Sequence, residues 1–99
     1  MHVRVASAQV QQGKMQELID IYNNSIVPSF KTLKGFKSAY LMTDVGSYTA
    51  LSVTVWESEA VLTEAEASST YQEIVAAASD ILGGPIDSDT YELSVEASV

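Results

Sequence analysis

Residues Tyr48–Ser58 read Tyr-Thr-Ala-Leu-Ser-Val-Thr-Val-Trp-Glu-Ser, and the fold follows from how that stretch is read. Leu51, Val53 and Val55 alternate with Tyr48, Ala50, Ser52, Thr54 and Trp56. A period of two in β-branched and aromatic residues is the signature of a strand. Ser58 then offers a hydroxyl to the free N–H groups of a following helix. The stretch therefore predicts a strand that runs directly into a capped helix.

The remaining elements can be placed outward from it. Upstream, Phe36–Thr43 is a second strand pattern, joined to the first by Asp44-Val45-Gly46-Ser47, which holds strong turn formers. The two make an antiparallel hairpin. Further back, Met15, Leu18, Ile19, Tyr22 and Ile26 form one apolar helical stripe. Pro28 lacks an N–H and is expected to end or kink that helix near Ile26. One more turn over 29–33 and a stop at Gly35 are expected to follow. Residues 2–10 alternate as a first strand, with Val3 and Val5 against Arg4, Ala6 and Ala8. Downstream, Ala60, Val61, Leu62 and Ala65 lead to a break at Ser68-Ser69. Ser69 with Gln72 fits a capping box, and the stripe Tyr71, Ile74, Val75, Ala78, Ile81, Leu82 runs to Gly83-Gly84-Pro85. Tyr91–Ala97 alternates as a last strand.

The order β-α-β-β-α-β is that of a ferredoxin-like α+β sandwich on an antiparallel sheet. At 99 residues it forms one domain over 1–99. Helices cover one face of such a sheet. The other face, by simple alternation, holds Ala6, Ala8, Tyr40, Met42, Tyr48, Ala50 and Trp56. An apolar face of that size calls for a partner, and a homodimer packed sheet to sheet is expected.

Composition narrows the chemistry. Hydrophobic residues make up 46% and charged residues 18%, a folded rather than disordered balance. There is no cysteine, which excludes disulfides, thiolate catalysis, Cys-ligated zinc and iron–sulfur clusters. No apolar run reaches the roughly 20 residues of a membrane span, and no basic-then-apolar leader opens the chain. A cytoplasmic location with no membrane partner is expected. The net charge is −8, with five basic and two acidic residues in 1–43 and eleven acidic and no basic ones in 44–99. Without clustered Lys and Arg, nucleic acid is not an expected partner. No metal set emerges: Glu64 and Glu66 are two apart on a helix and do not share a face, and Asp87 and Asp89 lack further ligands. No glycine-rich phosphate loop precedes a helix.

The segments Leu33-Lys34-Gly35-Phe36, Val55-Trp56-Glu57-Ser58-Glu59-Ala60, Ser69-Thr70-Tyr71 and Thr90-Tyr91-Glu92 together resemble the antibiotic biosynthesis monooxygenase domain, of the dimeric α+β barrel superfamily. The resemblance spans nearly the whole chain, and Trp-Glu-Ser-Glu-Ala is its most specific part. It implies an oxygenase needing no cofactor, acting on a small phenolic or hydroquinone-type substrate. Fold alone does not choose the activity. The haem-degrading branch carries an Asn on strand one, a Trp in the second helix and a His ligand beyond it. Ser7, Ala65 and Val75 stand there in this chain, and its one histidine is His2, so haem is not implied.

Oxygenation without a cofactor requires the substrate to supply the electrons once deprotonated, in an apolar pocket that stabilises the anion. Trp56 and Tyr71 are the candidate catalytic residues. Ser7, Tyr22 and Ile26 are the candidate substrate-binding residues. Each also has a purely structural reading, Trp56 as a packing or dimer residue and the tyrosines as core residues with wet hydroxyls. Arg4, the sole arginine, either binds an acidic substrate or pairs with an acidic residue across the dimer interface. The alternative to an enzyme is a non-catalytic dimeric protein that binds or senses a small hydrophobic metabolite. An interaction role, with the acidic second half meeting a basic partner, is a third.

Overall fold

The computed structural model describes residues 1–99. Four strands, β1 (His2–Gln9), β2 (Phe36–Asp44), β3 (Thr49–Trp56) and β4 (Asp87–Glu92), form one antiparallel sheet in the order β2-β3-β1-β4. Helices α1 (Met15–Ile21), α2 (Val27–Phe30), α3 (Glu59–Glu66) and α4 (Ser69–Ser79) carry the apolar stripes that pack on it. This is the ferredoxin-like α+β sandwich.

The first helical region does not stop before Pro28. Between α1 and α2 lies a π-helical segment, Tyr22–Ile26, in which the Val27 N–H donates to the Tyr22 carbonyl five residues back. The wider turn absorbs the proline, which cannot donate, and the helix runs on to Phe30. It also sets the face. A step of four residues in an α-helix overshoots one turn by about 40°. A π turn winds less per residue, so the drift is cancelled and Leu18, Tyr22, Ile26 and Phe30 all stay buried against the sheet.

Ser58 caps α3 as expected, its hydroxyl accepting from the Val61 N–H at 3.2 Å. The cap of α4 is Ser68, one residue before the expected Ser69. Ser68 has extended backbone and accepts from the Tyr71 N–H, while Gln72 reaches the Glu66 carbonyl instead. The helix ends at Ser79, and Leu82 has left it to bridge Val10.

Two strand expectations are corrected. The last strand is Asp87–Glu92, not Tyr91–Ala97. Pairing with β1, from Ser7 opposite Asp87 to His2 opposite Glu92, outweighs the alternation further on. The faces of the sheet are also exchanged. Ala6, Ala8, Ala50 and Trp56 turn toward the helices, while Val3, Val5, Leu51, Val53 and Val55 share the open face with Tyr40, Met42 and Tyr91. Tyr40, Met42 and Tyr91 are about half exposed, at 57%, 49% and 56%. Alternation separates two faces without saying which is inward. In β2 a bulge at Lys37 breaks the parity, so Phe36 pairs with Trp56 while Ser38 pairs with Val55. Tyr48 lies in the turn with φ 55°, before β3 begins.

At the far end of β1, His2 is buried rather than a loose terminus. It pairs with Trp56 across the sheet, with its ring nitrogens 3.3 Å from Glu92 and 3.6 Å from Glu59.

Candidate functional site

Small residues at alternating positions of the two central strands, Ala6 and Ala8 in β1 with Ala50 and Ser52 in β3, leave room above the sheet. The helices do not fill it. A cavity of about 80 Å³ remains, roofed by Leu18, Tyr22, Ile26 and Phe30 on one side and by Tyr71, Ile74 and Ala78 of α4 on the other. Apart from the two tyrosine hydroxyls, its polar groups come from Arg4 and Ser52 alone.

Three of the five candidate residues meet here: Tyr22 and Ile26 through the π segment, and Tyr71 through the first turn of α4. The other two do not. Ser7 sits opposite Leu51 and Asp87 on the open face of the sheet, one residue out of phase with the cavity. Trp56 is fully buried below α3 and outside the cavity lining. Its indole N–H donates to Thr54 Oγ1 at 2.9 Å, and its ring packs edge-on against Phe30 and Phe36.

Arg4 lines this cavity. It points to the helix side, where its Nε lies 3.6 Å from the Glu66 carboxylate of its own chain. Its guanidinium carbon sits 5.0 Å from the centre of the Tyr71 ring, a cation–π distance. Ser52 had no distinguishing mark in the sequence. The run of small residues on alternating positions was the legible signal for a cavity, once the inward face is known.

The tyrosines hold their protons. Burial pushes the Tyr71 hydroxyl up to about 12, with Arg4 pulling the other way. Burial likewise raises Tyr22, opposed by its 2.8 Å hydrogen bond with Ser52 and by Arg4. At neutral pH both are hydrogen-bond donors, not bases. The raised value also makes a stability prediction. Between the ordinary value of 10.0 and about 12 the unfolded chain loses the Tyr71 proton while the folded chain keeps it. Stability is therefore full below pH 10 and falls as pH rises through that window, by on the order of 2 kcal/mol. Urea denaturation from pH 9 to 12 should show the fall, and Tyr71→Phe should flatten it, leaving the smaller contribution of Tyr22.

An antiparallel sheet with helices on one face, and an apolar cavity between the two layers, defines a ferredoxin-like α+β protein. The chain belongs to the antibiotic biosynthesis monooxygenase family, whose model matches residues 1–77. No curated protein matches it significantly. Among solved structures, a monooxygenase of Streptomyces coelicolor in complex with nanaomycin D gives a TM-score of 0.81 at 19% identity, over 98% of this chain and 92% of that one. Rv0793 of Mycobacterium tuberculosis gives 0.75 at 18% identity, over 98% of both chains. A conserved protein of Methanosarcina mazei Go1 gives 0.75 at 19% identity, over 92% and 91%. At such identities the likeness concerns the fold. No helix is long and apolar enough to cross a membrane.

Proposed function

We propose that this chain is a monooxygenase that oxidises a small phenolic substrate to a quinone, with the substrate as electron donor. The observation that carries the reading is the apolar cavity lined by Tyr22 and Tyr71, in a chain of a monooxygenase family. A phenol with a free ring C–H and one dioxygen give a quinone and one water. One oxygen atom enters the ring, the other leaves as water, and the ring supplies the electrons. The reacting form is the phenolate, since its charge is what dioxygen can draw on. Neutral tyrosines suit this chemistry as donors to the phenolate oxygen in a site that excludes water. Neither is a base in the neutral range, so the substrate proton passes to solvent at the open side of the cavity.

Two copies are inferred to pack through the open sheet face. Val3, Val5, Leu51, Val53 and Val55, ringed by exposed Tyr40, Met42 and Tyr91, form an apolar patch of the kind that marks an interface. Sedimentation at micromolar concentration should give a dimer; a monomer would overturn that assembly.

Oxygen uptake in metal-free buffer with a panel of single-ring phenols and hydroquinones tests the activity. One quinone formed per oxygen consumed, without hydrogen peroxide, is the expected result. Tyr71→Phe should lower kcat by about tenfold or more, because a donor to a developing oxyanion is lost. Saturable binding of the same compounds with no uptake would instead favour a carrier or sensor of small aromatic metabolites.

A further inference from the structure

We propose that Arg4 anchors an ionised oxygen on a single-ring aromatic ligand of the cavity, which makes aromatic acids and phenolates the ligand class; this rests on reading the cavity as a ligand site. Arg4 reaches the cavity from the middle of β1, with its side chain only 12% exposed. A guanidinium keeps its charge when buried, so this is a fixed positive charge within an otherwise apolar lining. Its Nε is buried and makes no hydrogen bond. The one carboxylate nearby, Glu66, lies 3.6 Å away, beyond hydrogen-bond range. Glu66 is 39% exposed and free to turn to water. A buried donor without an acceptor is costly, and the cost is relieved when an acceptor arrives.

The neighbouring groups point the same way. The Tyr71 ring lies against Arg4, and its hydroxyl is a neutral donor that, unlike that of Tyr22, has no hydroxyl partner. Polar groups that face a ligand from this side are thus donors. Their complement is an oxygen that carries negative charge, on a scaffold flat enough for the Tyr71 and Phe30 rings. Size sets the scaffold. A cavity of about 150 Å³ holds benzene, so about 80 Å³ that opens at one side takes one ring with its far edge projecting, and not a fused polycycle.

Benzoate and benzamide test this by titration calorimetry. They share a shape, and only benzoate carries the charge. Neither is a substrate for phenol oxidation, so the outcome stands apart from whether the chain turns over oxygen. The wild-type chain is expected to bind benzoate about tenfold or more tighter than benzamide, as charge-assisted hydrogen bonds exceed neutral ones. Arg4→Gln should abolish the preference, and Arg4→Lys should retain part of it. Glu66→Gln should tighten benzoate several-fold and leave benzamide unchanged, because it removes the competing carboxylate. A merely structural Arg4–Glu66 pair would shift the melting temperature in that variant without altering the selectivity. Should Arg4→Gln fail to fold, Arg4→Lys and Glu66→Gln decide. Equal affinities in the wild type, binding of neither compound, or a preference that survives Arg4→Gln would overturn the proposal.

Discussion

Trp56→Ala is expected to destabilise the fold by about 3–5 kcal/mol, the cost of emptying a large buried aromatic site. Trp56 is 0% exposed. Phe36 and Phe30 pack on its ring at centroid distances of 5.4 and 6.1 Å, at interplanar angles of 72° and 81°. These edge-to-face contacts add to the area term. Loss of the indole also removes the donor to Thr54, a residue that is itself only 2% exposed. Urea denaturation should show the midpoint fall with the slope unchanged, as befits a change in stability rather than in compactness. Trp56→Phe should cost less, about 1–3 kcal/mol, through a partial cavity and the orphaned threonine. A purely catalytic Trp56 would give the opposite pattern, with oxygen uptake lost and the midpoint unmoved.

Gly35→Ala should destabilise by about 3 kcal/mol, for two separable reasons. Gly35 has φ +80°, where a side chain is strained. A Cβ there would also collide with the Val61 side chain on α3. The backbone cannot drift to relieve either, because the Gly35 carbonyl accepts the Glu57 N–H at 2.8 Å. That bond ties the start of β2 to the β3–α3 junction. The double variant Gly35→Ala/Val61→Ala separates the two contributions. It should recover the steric part and leave the backbone part. If it recovers nothing, the collision does not contribute.

Gly35 shows how much of the fold was local. A glycine after a helical turn reads as a stop, and Asp44-Val45-Gly46-Ser47 as a turn, because single residues control φ and short-range hydrogen bonds. The Asp44 carboxylate accordingly accepts from the Gly46 N–H and the Ser47 hydroxyl. Likewise the Ser58 cap and the β-α-β-β-α-β order follow from periodicity along the chain. The site was legible only in part. Tyr22, Ile26 and Tyr71 lie on helical stripes that have to face the sheet, so their convergence follows from amphipathicity. Ser7 and Arg4 were put on the wrong faces by the face assignment, while Trp56 faces the helices but lies beyond the end of the cavity.

The sequence by itself determined the type and order of the strands and helical regions, because helix and strand periods and their caps are properties of short segments. It also determined that one sheet face would be apolar and uncovered. Tertiary structure decided which face that is, since a strand's alternation is symmetric until a helix packs on one side and a bulge such as that at Lys37 shifts the parity. It decided the length of the first helix, where a π turn accommodates Pro28 and holds Tyr22 and Ile26 over the sheet. It decided the last strand as well, because β4 is placed by hydrogen bonds to β1 and not by its own alternation. The cavity is likewise a tertiary product. Ala6, Ala8, Ala50 and Ser52 are unremarkable small residues until pairing of β1 with β3 sets them side by side with Arg4 beneath two tyrosines.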